Sequence, residues 1–243
     1  MFEKHGHVVT PVYIERTPNK LEHLGSGVLV QFKEGYFIFT AAHVLAEKVN
    51  GNILLPGKPN FFGPSGTTIS SCQLLPEVAH KDSVDLSYLR LTDDEVLKLR
   101  VSGAKFLPVT NDNLEPTGST PFPGVGAVSG YPSASVTISG QISEVHFTDL
   151  VEMDFASPER LRKAGFNSET TIGLIRPKKL WLDGQRLRDL DLEGMSGGAI
   201  WAHDKGHVRL VGIFTEYRSS RSLLIGTRLK PLITEMARRT RLG

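Results

Sequence analysis

Gly27-Val28-Leu29-Val30-Gln31-Phe32, Lys33-Glu34-Gly35, Tyr36-Phe37-Ile38-Phe39-Thr40 is the stretch that decides the fold class. Two short runs rich in β-branched and aromatic residues flank a glycine-containing turn, the pattern of a β-hairpin. Working outward, similar runs recur at 52–55, 85–91, 126–131, 135–147, 150–155, 171–175, 198–203, 208–214 and 223–229. Short strands at regular intervals favour an all-β sandwich or barrel over βαβ units. Two stretches read as helical. Ala42–Val49 is about the length of a turn. Pro231–Arg241 sets Leu232, Ile233, Met236 and Ala237 on one face, with proline near its start. Residues 107–124 carry four prolines and two glycines without periodicity and read as a linker. The expected organisation is an N-terminal arm (1–21), a first β unit (22–106), that linker, and a second β unit with the terminal helix (125–243).

Composition narrows the class. With 243 residues, 40% hydrophobic, the chain is long enough to bury a core without staples. Its 24 glycines and 14 prolines have no G-X-Y period, which excludes a collagen-like rod. No apolar run approaches the ~18 residues of a membrane-spanning helix. The opening MFEKHGHVVT has no apolar core, so a secretory signal is not expected. The net charge of +2 is too small to argue for nucleic acid, and Arg238, Arg239 and Arg241 read as a solvated helix end. Cys72 is the only cysteine, so no internal disulfide forms, and a reducing, cytoplasmic setting is expected.

Chemistry concentrates in three segments. In Leu192-Glu193-Gly194-Met195-Ser196-Gly197-Gly198 the glycines clear the surroundings of a serine hydroxyl. A hydroxyl needs unhindered approach and a base to act as a nucleophile. The N–H groups of Gly194 and Ser196 are candidates for an oxyanion hole. The same residues fit G-x-S-x-G, but too little chain follows Ser196 for the acid and histidine of an α/β-hydrolase. His43, directly after a strand, is the candidate base. Asp85, opening an apolar strand, is the candidate orienting carboxylate; Asp82, in a polar stretch, reads as a turn cap. His5-x-His7 lacks Cys or carboxylate partners and reads as surface rather than as a metal site.

Thr40-Ala41-Ala42-His43, Asp85-Leu86-Ser87-Tyr88-Leu89-Arg90-Leu91 and Gly194-Met195-Ser196-Gly197-Gly198, in that order, resemble the histidine, aspartate and serine motifs of the trypsin-like (chymotrypsin-fold) serine peptidases. Gly25-Ser26-Gly27 is similar to the start of the HtrA-like branch. Ser129-Gly130-Tyr131-Pro132, Leu210-Val211-Gly212-Ile213 and Thr227-Arg228-Leu229 look like strands of the second barrel and its end. The similarity spans roughly residues 22–240. It implies two six-stranded antiparallel β-barrels and a C-terminal helix, with His43 and Asp85 on the first barrel and Ser196 on the second. It implies a serine endopeptidase working through an acyl-enzyme, with no metal or organic cofactor. The partner is a protein or peptide substrate, a protein regulator is left open, and neither nucleic acid nor membrane is expected. Met195 stands where secreted members usually carry an aspartate that pairs with a new N-terminus, so that activation route is not expected. By resemblance the substrate pocket involves Leu190, Thr215, Glu216 and Tyr217. Leucine at 190 disfavours trypsin-type selectivity, and Tyr217 would narrow the entrance. The charged segment 156–190 reads as a regulatory or substrate loop, or as surface. Two alternatives stand beside the peptidase: a catalytically silent binding module on the same fold, and an esterase or acyltransferase using the same residues.

Overall fold

The computed structural model describes residues 6–70, 84–110, 122, 124–139, 142–177, 180–182, 185–187 and 192–239. Its first half contains β1 (Val9–Thr17), β2 (Lys20–Phe32), β3 (Gly35–Thr40), β4 (Asn52–Leu54), β5 (Thr68–Ser70), β6 (Ser87–Leu91) and β7 (Leu107–Pro108). These form one sheet in the order β4-β1-β2-β3-β6-β5, with β7 added in parallel to β2. Helix α1 (Ala42–Ala46) follows β3 directly and runs into a 3₁₀ turn, Glu47–Asn50; α2 (Asp93–Val101) follows β6.

The second half contains β8 (Val125–Gly130), β9 (Val136–Ser139), β10 (Ile142–Val145), β11 (Thr148–Phe155), β12 (Thr171–Ile175), β13 (Leu180–Leu182), β14 (Gln185–Leu187), β15 (Ala199–Asp204), β16 (His207–Arg218) and β17 (Leu223–Arg228). Six of them close an antiparallel barrel, β11-β12-β17-β16-β15-β8, while β9–β10 and β13–β14 are separate hairpins. Helix α3 (Pro158–Lys163) lies between β11 and β12, and α4 (Leu229–Arg239) ends the described chain.

Several expectations change. The first unit is a half-barrel sheet among the described residues, not a closed six-stranded barrel: β4 and β5 end its hydrogen-bonded path. Within the supposed arm 1–21, residues 9–17 form β1, which pairs with β2 and β4 and is buried over its first six positions. Pro11 interrupts the apolar run there. It lies ahead of Tyr13–Glu15, the part facing β4, so no ladder bond is lost on that edge. In the Lys33-Glu34-Gly35 turn the positive φ of 52° falls on Lys33, and Gly35 begins β3. The run 135–147 is the β9–β10 hairpin. Of the linker 107–124, Leu107–Pro108 is β7, and 111–121 and 123 lie outside the described residues. Segment 156–190 contributes α3 and the barrel strand β12.

Helix α2 went unread because its apolar residues are not confined to one face: Val96 and Leu99 are buried, but Leu97 and Val101 are exposed. It has a local signal nonetheless. Thr92 accepts from the Glu95 N–H and Glu95 accepts from the Thr92 N–H, a reciprocal capping box.

Burial explains why the two halves hold together. Val12, Ile14, Leu29, Ile38, Val44 and Leu89 pack inside the first sheet. Val128, Leu150, Ile172, Met195, Ile200 and Phe214 fill the barrel. A third cluster crosses between them, joining Val28, Phe39 and Leu86 to Ala199, Trp201 and Ile213. Leu229, Leu232, Ile233 and Met236, at positions i, i+3, i+4 and i+7, dock one face of α4 onto this seam.

Candidate active site

His43 stands in the first turn of α1, immediately beyond β3. Asp85 precedes β6, which pairs with β3 through Thr40↔Ser87. The strand pairing therefore brings two residues 42 apart in sequence side by side. Asp85 accepts two hydrogen bonds from one residue: Oδ1 from the His43 backbone N–H at 3.0 Å, and Oδ2 at 2.5 Å from His43 Nδ1. The Asp85 N–H donates to Thr227 Oγ1 on β17 at 3.1 Å, tying this carboxylate to the barrel. The hydrogen bond and charge of Asp85 hold the imidazole above its ordinary pKa, with Glu216 and Glu47 adding smaller attractions and burial opposing. The His43 side chain is 53% exposed, so the ring remains within reach of solvent and a ligand.

Ser196 lies between β14 and β15 in the glycine-rich turn. Its hydroxyl donates to Thr215 O at 2.9 Å, and is not hydrogen-bonded to the imidazole. The neighbouring N–H groups are committed: Met195 to Leu192 O, Gly197 to Phe214 O and Gly198 to Met195 O. Among the described residues, those of Gly194 and Ser196 have no acceptor. A peptide unit is planar and trans, so a held carbonyl aims its N–H the other way. Glu193 O accepts from Ser133 N–H at 2.7 Å and Met195 O from Gly198 N–H at 2.9 Å. Those two bonds orient the N–H groups of Gly194 and Ser196, the pair expected to meet an oxyanion.

Two glycines of the motif have a steric reason. Gly194 has φ +84°, and a Cβ there would lie 2.5 Å from Ser133 Oγ and 2.6 Å from His23 Cε1. Gly197 has φ +90°, and a Cβ would run into Ser26 O and Thr40 Oγ1. Both carry the left-handed backbone that favours glycine. Met195 is fully buried among Leu192, Ile200 and Phe214, so its side chain serves the barrel core.

A cleft of about 400 Å³ is lined by His43, Asp85, Phe166, Thr215, Glu216 and Ile225, together with Arg218. Thr215 is the acceptor of the Ser196 hydroxyl, so the serine adjoins this cleft. Glu216 is held by Arg218, at 2.7 Å to Nε and 3.0 Å to Nη2. Tyr217 packs against the barrel core, and its hydroxyl accepts from Arg176 Nη1 at 2.8 Å beneath the same guanidinium. Leu190 lies outside the described residues, as do Asp82, Cys72 and His5.

Neighbours that sequence reading missed are Phe166, Arg176, Arg218, His23 and Ser133. The first three come from the segment before the serine motif or from the end of β16, and no local pattern marks them. His23 is partly buried, stacks edge-on against Tyr13 and meets Ser133 Oγ through Nδ1 at 3.2 Å. Its setting in β2, two residues ahead of Gly25-Ser26-Gly27, is the one sequence cue.

Comparison with known protein families and with curated proteins finds no match to this chain.

Proposed function

We propose that the protein is a serine hydrolase of the trypsin-like kind, with His43, Asp85 and Ser196 as its catalytic residues and peptide bonds as its substrate. The observation that carries this reading is the Asp85 carboxylate bonded to both Nδ1 and the backbone N–H of His43, beside a serine whose flanking N–H groups have no acceptor among the described residues. Asp85 fixes the tautomer that leaves Nε2 free to take a proton.

In the proposed reaction the Ser196 hydroxyl turns from Thr215 O to His43 Nε2 and gives up its proton as Oγ attacks the carbonyl carbon. Apo geometry at such hydrogen bonds is often loose. The developing oxyanion accepts from the Gly194 and Ser196 N–H groups, and the imidazolium is stabilised by Asp85. His43 then protonates the leaving amine as the C–N bond breaks; a water deprotonated by His43 attacks the acyl carbon, and His43 returns that proton to Ser196 Oγ as the acyl group leaves. Glu216, neutralised by Arg218, leaves no call for a cationic side chain at that wall of the cleft. No helix among the described residues is long and apolar enough to cross a membrane. The lone Cys72 keeps a reducing compartment as the proposed setting.

One observation favours a second reading, a silent binding module on this fold: the Ser196 hydroxyl rests on Thr215 O. A fluorophosphonate separates the two. Stoichiometric labelling at Ser196, abolished in His43→Ala and Ser196→Ala, is the expected result. A folded wild-type protein that does not react would overturn the hydrolase reading in favour of the binding module.

A further inference from the structure

Ser26 is fully buried in β2, in the half of the chain that carries His43, and each of its polar groups is hydrogen-bonded, its N–H and Oγ across the seam. Its N–H donates to Ser196 O at 2.8 Å. Its Oγ donates to Gly194 O at 2.9 Å and accepts from Tyr131 N–H at 2.9 Å. Its carbonyl accepts from Thr40 Oγ1 at 2.7 Å, three residues before His43. The register fits the last of these: Ser26 faces Pro11 on β1, which has no N–H to give to the Ser26 carbonyl, and Thr40 Oγ1 is the donor found there.

We propose that Ser26 is the positioning residue that sets the oxyanion-binding conformation of the serine loop. This inference rests on the hydrolase reading given above. Gly194 is the flexible point of that loop, because glycine explores both signs of φ and its peptides rotate unless they are held. The peptide before Gly194 is held by Ser133 through Glu193 O. The peptide after it is held by the Ser26 hydroxyl through Gly194 O. Without that hydroxyl, the buried Gly194 O and the partly buried Tyr131 N–H lose their partner, and the loop can relieve the loss by turning Gly194. The same peptide carries the Met195 N–H, bonded to Leu192 O, so turning it opens the Leu192–Met195 turn that contains the Gly194 N–H aimed at the oxyanion. The anchor comes from within the first sheet and is present in the chain as it folds, which suits a loop with methionine at 195 rather than an acid awaiting a new N-terminus.

The test compares wild type with Ser26→Ala, using the fluorophosphonate inactivation rate and the affinity for phenylboronic acid, read as protection against that inactivation. Loss of one oxyanion donor costs on the order of 10²–10³ in rate, so an indirectly loosened donor is expected to cost at least about tenfold. Boronate affinity should fall in parallel. The pH midpoint of inactivation, which reports the His43–Asp85 pair, should stay where it is, separating a loop effect from general loosening. Rates and boronate affinity within twofold of wild type would overturn the proposal. So would a loss accompanied by a moved pH midpoint. If Ser26→Ala does not fold, Ser26→Cys, slightly larger and a weaker donor, is judged by the same outcomes. A wild-type protein that does not react with the probe defeats the hydrolase reading itself. A reactive wild type with an equally reactive variant defeats only this inference.

Discussion

Replacing His23 by glutamine should make the fold less sensitive to acid. Burial drives the His23 pKa from an ordinary value near 6.5 down to about 4, opposed by a weaker hydrogen bond at the Gly25 backbone. The physical cause is on view: Nε2 is sealed from solvent and has no partner among the described residues, while Tyr13 and Gly194 close around the ring. The sign follows from linkage. A histidine whose folded pKa is depressed binds its proton more readily when unfolded, so the fold loses stability as pH drops through the ordinary value, and the loss levels off below about 4. Between pH 7.5 and 4.5 this one group accounts for about 2.5 kcal/mol. For a chain of this length that is about 5–10 °C in Tm. Glutamine can hydrogen-bond Ser133 but does not titrate. The measurement is Tm for wild type and His23→Gln in matched buffers from pH 7.5 to 4.5, and the quantity of interest is the change in their difference, in which every other titrating group cancels. A difference that moves toward the variant by that amount supports a buried neutral imidazole. Parallel curves would refute it, and with it the packing of His23 against the serine loop.

Asp85→Asn should leave the fold intact but lower turnover by about 10⁴, the scale set by losing the tautomer-fixing carboxylate, and should shift the pH midpoint downward because Asp85 is what holds His43 above its ordinary value; steady-state kinetics across pH check both. His43→Ala and Ser196→Ala should each remove most activity, and the double variant should lose little more, since the groups act as a unit. Gly197→Ala should destabilise by more than about 1–2 kcal/mol, the left-handed backbone cost alone, because the added Cβ also meets Ser26 O and Thr40 Oγ1; thermal denaturation measures it. Thr92→Ala should cost about 1 kcal/mol by removing the α2 cap, without touching activity.

Most strands were legible because their apolar residues are contiguous and turn residues bound them: 171–175 was read residue for residue as β12. Strand β1, placed within an N-terminal arm, was not, because Pro11 interrupts its apolar run and the register that sets this proline opposite Ser26 is decided only by the pairing with β2. Helix α2 was missed because its pattern is weak, although the Thr92…Glu95 spacing that caps it is present in the sequence. Closure is a further property that local pattern does not carry. Whether a sheet meets its own first strand depends on twist and stagger summed over many residues. The second half closes and the described first half does not.

For the candidate site, the sequence by itself determined the residue types, their order and the run of glycines around Ser196, since the left-handed φ at Gly194 and Gly197 is a demand of the local backbone, whereas the atoms that leave no room for a Cβ there, from Ser133, His23, Ser26 and Thr40, are brought by the fold. Tertiary structure decided which groups meet. The β3–β6 pairing sets Asp85 against His43, the barrel supplies Thr215 as the acceptor of the Ser196 hydroxyl, and Ser26 reaches across the seam to Gly194, 168 residues away in the chain. Hydrogen bonds at such separations are made by packing whole sheets against one another, and no local window of sequence contains both partners.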